Sequence, residues 1–408
     1  MNTSMLVYKN TKWEALLNLA SRFRDVFADR LDAMLADIAE LVGIEAGSYD
    51  VEGVTRTSHW IGERLHAQGF ELHYEEVPER GNRLLAVRKG QGKGRLMILG
   101  HADTVWPRGT LENWPFEIRG ELATGPGVGD MRGGLVLAIN AIDVASKAGL
   151  AEFEEIKFLV VSDEELGSPL SRGWIEEHAK TSDWVLTLEP GRPGGGYFTS
   201  RGAVGAFFIE AVGQTAHAAA NYLKGASAVR PLAILVPQIE ALTDLENGAI
   251  VNVGVFQGGD ARQVIPGHAK LHVDMRARTP EAAAKLQREV ERLISEVATD
   301  RVSVVLKGGW TRPAWARTAE TQALYTIIAK ASEEIGAPCF ELTNISGGSD
   351  ASFCGALGVP TIDGLGPICN DICSRDETIV VDSLVDRGAV FSTLIATLSG
   401  NGNNGIKG

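Results

Sequence analysis

The sequence predicts an α/β protein: a larger domain, interrupted in sequence, with a mostly parallel sheet flanked by helices, and a smaller α+β domain inserted into it. Three observations predict it. Short apolar runs alternate with stretches of helical periodicity, the rhythm of parallel strands joined by helical crossovers. Two breaker clusters, Pro190–Gly196 and Gly308–Pro313, bracket about a hundred residues of a different pattern, a usual domain size. Carboxylates and a histidine follow the apolar runs, where open α/β sheets place functional groups.

Taken in order, Leu16, Leu17, Phe23, Phe27, Leu31, Met34, Leu35, Ile38 and Leu41 recur at helical spacing and predict an amphipathic helix from Thr11 to about Val42. A second helix is expected over Gly53–Gln68. Phe70–Val77 alternates, Leu84–Lys89 is a short apolar run, and Arg95–Gly100 reads as a buried strand ending at His101. Helix Met131–Ala148 then precedes strand Ile156–Val161, and a helix near Ser171–Lys180 precedes strand Trp184–Leu188. The insertion is predicted as strand Ala203–Val212, helix Ala226–Leu242, strands Ala249–Phe256 and Ala269–Arg278, helix Pro280–Ala298 and strand Val302–Leu306. Helix Thr321–Ile335, strand Val359–Ile362 and helix Ser383–Leu398 complete the first sheet. The expected division is therefore residues 1–196 and 309–408 for the larger domain and 197–308 for the insertion. The Gly/Asn-rich tail after Ser399 is expected to fray.

Composition narrows the function. The chain of 408 residues is 44% hydrophobic and 22% charged, ample for a core. A net charge of -13, with Lys and Arg scattered, argues against a nucleic-acid or anionic-membrane surface. Lys9, Lys12 and Glu14 interrupt the apolar residues of Met1–Ala20, so no secretory or spanning segment is read there, and a cytoplasmic location is expected. The four cysteines, Cys339, Cys354, Cys369 and Cys373, lack the density of a disulfide scaffold.

The chemistry lies in the residues that follow the strands. His101 and Asp103 are two apart on an extended segment and can share one side of it. A ligating imidazole needs its other nitrogen held, so Asp103 is spaced to orient either the ligand or a water on the metal. Asp130 lies between Gly125-Pro-Gly-Val-Gly129 and Gly133-Gly134, where backbone can crowd an ion. Its two oxygens suit bridging of two cations about 3.5 to 4 Å apart, and capping of the following helix is a second use. Glu164 and Glu165 follow Phe158–Val161, a costly place for adjacent charges without cations. Neighbours on an extended chain point apart, which gives Glu165 as ligand and Glu164 as general base. Glu189 adds a carboxylate at the next strand end. Together these residues suit hard cations and a metal-dependent hydrolase.

The segments Gly-His-Ala-Asp-Thr-Val, Gly-Val-Gly-Asp-Met-Arg-Gly-Gly, Ser-Asp-Glu-Glu-Leu-Gly-Ser, Leu-Glu-Pro-Gly and Gly-Gly-Ser-Asp-Ala resemble the dinuclear metallopeptidase family of glutamate carboxypeptidases, aminoacylases, acetylornithine deacetylases and succinyl-diaminopimelate desuccinylases. The glutamate carboxypeptidase branch is the most similar, and the resemblance spans nearly the whole chain. It implies that His101 and Glu189 bind one metal, Glu165 the other, that Asp130 bridges them, and that Glu164 shuttles the proton. It implies that the insertion is a dimerisation lid whose His217 reaches across a homodimer to polarise the scissile carbonyl. Arg276 resembles an arginine that grips a substrate carboxylate, and Gly348 falls in a segment that would line the substrate.

Three positions depart from the family pattern. Its last ligand is usually a histidine, but the matching segment reads Asp371-Ile-Cys373-Ser-Arg-Asp-Glu377, and no histidine follows His272. Cys373 either supplies the ligand or the position is lost; a thiolate suits zinc better than manganese or magnesium. Gln263 stands where relatives commonly have asparagine against the substrate, and Ala218-Ala219-Ala220 replaces a usual glycine after His217. The reading is a hydrolase of a C–N bond beside a carboxylate-bearing group. It would bind one or two divalent transition metal ions per subunit, zinc first, manganese or cobalt as alternatives. The rival readings are an aminohydrolase releasing ammonia from a carboxylated aromatic amine, and a non-catalytic ligand-binding relative. Hinges are expected near Gly194–Gly196 and Gly308–Gly309.

Overall fold

The structure is a computed structural model that describes residues 18–343 and 347–401. The start of the first predicted helix, from Thr11, and the tail after Asn401 lie outside the described residues. The chain divides into two compact units: residues 1–199, 317–343 and 349–408, and residues 200–316 with 344–348.

The first unit is organised by a six-stranded sheet in the order Glu71–Val77, Gly81–Lys89, Glu155–Val161, Arg95–His101, Trp184–Thr187 and Thr361–Ile362. The last four strands are parallel, and the first two join antiparallel. Strands buried on both faces need apolar residues at every position, and period two sorts them. Leu96, Ile98, Phe158, Val160 and Leu186 enter one core with helices Leu19–Val42, Gly134–Lys147, Ala319–Ile335 and Ser383–Asn401. Met97, Leu99, Leu159, Val161 and Val185 face helices Arg172–Lys180 and Ala351–Ala356 through Ile175, Ala179 and Phe353. Phe27 is wholly buried, each such side chain contributing about 1.5–3 kcal/mol of apolar transfer. From Arg95–His101 the chain steps out to Glu155–Val161 and then back across it to Trp184–Thr187. Such a reversal opens a crevice at the carboxyl ends of the strands.

A small antiparallel sheet runs in the order Cys369–Asn370, Thr378–Val380, Leu122–Thr124 and Glu117–Arg119. It closes the loop Asp371–Glu377 beside the glycine-rich segment before Asp130. The predicted helix from Met131 instead starts at Gly134, after an irregular turn over Val128–Gly133. Asp130 has φ -110° and ψ 91° there, and the helix carries no side-chain cap, so the capping role expected of Asp130 is not seen.

The second unit is a four-stranded antiparallel sheet in the order Ala249–Gly258, His268–Ala277, Ala203–Val212 and Ser303–Arg312. Phe207, Ile209, Ala211, Leu271, Val273 and Met275 pack one face of it against helices Val229–Glu240 and Pro280–Val297. The second helix starts cleanly because Thr279 Oγ1 accepts from the Ala282 amide and Pro280 presets the first turn. One expectation is corrected. Gly308 and Gly309 are paired with Phe207 and Ala206 inside strand Ser303–Arg312, which continues past the predicted end at Leu306. Gly308 sits at φ +80°, and a Cβ there would lie 2.2 Å from the Ala206 carbonyl oxygen, so glycine permits the strand rather than breaking it.

Candidate metal centre

His101 is the last residue of its strand and is 1% exposed. Its Nδ1 lies 2.9 Å from the Asp103 carbonyl oxygen and its Nε2 3.1 Å from Asp130 Oδ1. A carbonyl only accepts, so Nδ1 carries a proton. Nε2 then faces a carboxylate oxygen, and only a proton or a cation between them makes that approach favourable. Burial pulls the imidazole pKa down, but the carboxylates of Asp103, whose Oδ1 is 3.4 Å from Nδ1, and of Asp130 more than reverse this and hold it well above its ordinary value.

Asp103 organises the next loop. Its carboxylate accepts Ser48 Oγ at 2.7 Å, the Glu164 amide at 3.1 Å and the Glu165 amide at 3.2 Å. The acidic pair is therefore not extended, as the sequence suggested, but lies in a 3₁₀ turn, Glu164–Leu166. The wanted acceptor of its amides is the buried Asp103 carboxylate, which selects the turn. Both side chains consequently serve the same centre: ligand atoms of His101, Asp130 and Glu165 lie within 4.8 Å of one another, as do those of His101, Glu164 and Glu189.

Glu189 follows strand Trp184–Thr187 by two residues and is 7% exposed. Gly134 lets the Asp130 turn approach it, since a Cβ there would lie 2.2 Å from the Leu188 carbonyl oxygen. Asp130 is approached from the other side by Cys373, whose Sγ is 3.3 Å from Oδ2. Cys373 belongs to neither of the two groups above.

The donor set fits divalent cations. Five carboxylates, Asp103, Asp130, Glu164, Glu165 and Glu189, gather around one imidazole. Arg132 adds a buried cation, its pKa brought down by burial to about 10, which leaves it charged at neutral pH. That does not balance the acids. Burial, then the neighbouring Asp130, pushes the pKa values of Glu165 and Glu189 well above the usual carboxylate range. Glu165 Oε1 is buried without a hydrogen-bond partner among the described residues. A buried carboxylate oxygen left unpaired in a cluster with a histidine and a second carboxylate is what a metal ion relieves.

The other expected site residues lie in the second unit. His217 is exposed, and its Nδ1 accepts from the amides of Ala219 and Ala220, both at 3.2 Å. A two-strand ribbon pairs His217 with Val264, and the Gln263 carbonyl accepts the Ala218 amide at 2.9 Å, so His217 and Gln263 are neighbours. Arg276 grips Asp274 through Nε at 2.7 Å and Nη2 at 2.8 Å. Gly348 lies near Arg312.

The sequence reading missed Ser48, Arg132 and Glu377. Ser48 has no signal in sequence. Arg132 was visible only as part of a glycine-rich motif. Glu377 ends the segment Asp371–Glu377, and its burial distinguishes it from an ordinary solvated acid.

A crevice at parallel strand ends, lined by carboxylates and one oriented imidazole, suits a metal-dependent hydrolase, and the family and relatives it matches make it one that acts on a C–N bond near a carboxylate group. The chain belongs to the Peptidase family M20/M25/M40, which it matches over residues 97–397. It is 28% identical over 344 residues to Carboxypeptidase G2 of a Pseudomonas species, covering 83% of this chain and 82% of that one. It is also 28% identical over 354 residues to a succinyl-diaminopimelate desuccinylase of Leptothrix cholodnii, covering 79% and 88%. Its fold is similar to that of a tripeptidase from Staphylococcus aureus, with TM-score 0.73 at 19% identity over 90% of this chain and 98% of that one. An M20 family metallo-carboxypeptidase from Sulfolobus solfataricus gives TM-score 0.68 at 16% identity over 90% and 99%. Among the described residues no helix is long and apolar enough to cross a membrane.

Proposed function

We propose that the protein hydrolyses the amide bond of a small N-acylated, carboxylate-bearing substrate, with Glu164 as general base. The observation that carries this reading is the convergence of His101, Asp130, Glu164, Glu165 and Glu189 on one buried centre. His101 and Glu189 would hold one ion, Glu165 and Cys373 a second, with Asp130 between them. Zinc is the preferred ion because Cys373 offers sulfur; manganese and cobalt are the alternatives. When bound, such ions polarise the scissile carbonyl and lower the pKa of water.

The chain's own residues do the rest. Glu164 takes the proton of the attacking water on its carboxylate and delivers it to the leaving nitrogen. Asp103 holds the Glu164 and Glu165 amides, so that both side chains are oriented before substrate arrives. The amides of Ala219 and Ala220 occupy His217 Nδ1, leaving Nε2–H as donor. In a homodimer formed through the second unit, that N–H would be donated by the partner's His217 to the developing oxyanion. Arg276, freed in part from Asp274, would take the substrate carboxylate, with Gln263 and Gly348 lining the same substrate. The names of two relatives, a carboxypeptidase and a desuccinylase, support acyl–nitrogen cleavage.

Cys373 supports one second reading, since its sulfur alters the ligand set: an aminohydrolase releasing ammonia from a carboxylated aromatic amine. The test is a product assay on zinc- and manganese-loaded protein with an N-acylglutamate, an N-succinyl diamino acid and an aminobenzoate. Free amino acid with an equal amount of acid product is expected. Ammonia together with a hydroxybenzoate, and no released acyl acid, would replace the amidase reading with the aminohydrolase one.

A further inference from the structure

Glu377 is completely buried, yet among the described residues it forms no ion pair. Its partners are instead three backbone amides. Oε1 accepts from Gly129 at 2.8 Å and from Asp130 at 3.3 Å, and Oε2 accepts from Cys373 at 3.0 Å. One carboxylate therefore ties together two segments that are far apart in sequence, and both carry a residue of the metal centre.

The second segment needs holding. Asp371 has φ +51° and Cys373 φ +58°, left-handed conformations that are unfavourable for residues with a Cβ. The bond from the Cys373 amide to Glu377 is made in that conformation, and it brings the thiol to Asp130. Glu377 is itself anchored: Trp114 Nε1 donates to Thr124 Oγ1 at 3.0 Å, and Thr124 Oγ1 donates to the Glu377 carbonyl at 2.8 Å. Strand Thr378–Val380 pairs with Leu122–Thr124 immediately after it. Arg375, in the same loop, lies over the rings of Trp106 and Trp114.

We propose that Glu377 is a positioning residue that sets the Asp130 carboxylate and the Cys373 thiol on a common metal ion. It touches neither metal nor substrate, and it acts by fixing the backbone from which both ligands project. The inference rests on the reading of Cys373 as a ligand. Glutamine at this position would keep the volume and one acceptor oxygen, but its NH₂ would face the Cys373 amide, donor against donor.

The test is titration of metal-free protein with cobalt(II), following binding stoichiometry by calorimetry and the thiolate-to-cobalt absorption in the near ultraviolet. Wild type is expected to bind two ions and to show the band. Glu377→Gln is expected to bind the second ion at least tenfold more weakly, with the band lost. A band and a second affinity within twofold of wild type in Glu377→Gln would overturn the proposal. If that variant does not fold, Thr124→Val decides: a second site weakened several-fold supports the proposal, and an unchanged one overturns it. Wild type without the band, and Cys373→Ala with unchanged stoichiometry, would refute the ligand role of Cys373 and take this inference with it.

Discussion

Replacing Asp103 by asparagine leaves size and shape nearly unchanged and removes one charge from the centre. The carboxylate accepts three hydrogen bonds, from Ser48 Oγ and the amides of Glu164 and Glu165. In its best orientation an asparagine keeps its oxygen on Ser48 and Glu165 and turns its NH₂ toward the Glu164 amide. Two bonds then fall from charged to neutral, about 1 kcal/mol each, and the third becomes a donor against a donor, about 2 kcal/mol. The sum, about 4 kcal/mol, is felt partly as stability and partly as misplacement of the 3₁₀ turn that carries Glu164. If most of it reaches the transition state, kcat/KM falls about 10²- to 10³-fold. The change belongs in kcat, because Asp103 holds the base rather than the substrate. Steady-state kinetics of Asp103→Asn at saturating metal, with a thermal melt to verify folding, measure both. A folded variant with kcat/KM within threefold of wild type would refute the reasoning that Asp103 positions the acidic pair.

Three further outcomes follow from the same geometry. Glu164→Gln is expected to lower kcat by about 10²- to 10⁴-fold while elemental analysis finds its metal content unchanged; a loss of metal in step with activity would make Glu164 a ligand instead of the base. Burial and then Asp130 push the pKa of Glu377 from the ordinary 4.5 to about 7. A carboxyl whose folded pKa is raised stabilises the fold fully below 4.5, and that contribution is lost as pH rises through about 7. Chelated protein should thus melt lower at pH 7.5 than at pH 5, and Glu377→Gln should flatten that difference; a chelated wild type with equal or higher stability at pH 7.5 would contradict the sign. His217, with two amides on Nδ1, is expected as the Nε2–H tautomer in long-range nitrogen–proton spectra, and an Nδ1–H signal would rule out the proposed donor.

The parallel sheet was legible because its strands are buried on both faces, so Arg95–His101 and Glu155–Val161 read as continuous apolar runs with functional residues at their ends. Helix Pro280–Val297 was legible from its helical periodicity. Local chemistry that depends on distant partners was not. Glu164 and Glu165 looked extended because Asp103, which accepts both amides, lies about sixty residues away in sequence. Gly308 looked like a breaker because its close approach to Ala206 comes from strand pairing, not from its neighbours in sequence. Ser48 and Glu377 were silent for the same reason: their worth is in hydrogen bonds to segments that the fold, not the sequence, brings near. The residues of the candidate centre could be singled out in sequence because adjacent acids after apolar strands are costly without a cation.

The most direct test of a metal-dependent hydrolase is elemental analysis of protein purified without added metal, followed by chelation, reloading and assay on an N-acylglutamate. The account predicts about two divalent ions per chain, loss of turnover on chelation and its return with zinc or manganese. Full turnover by protein stripped of metal would contradict it.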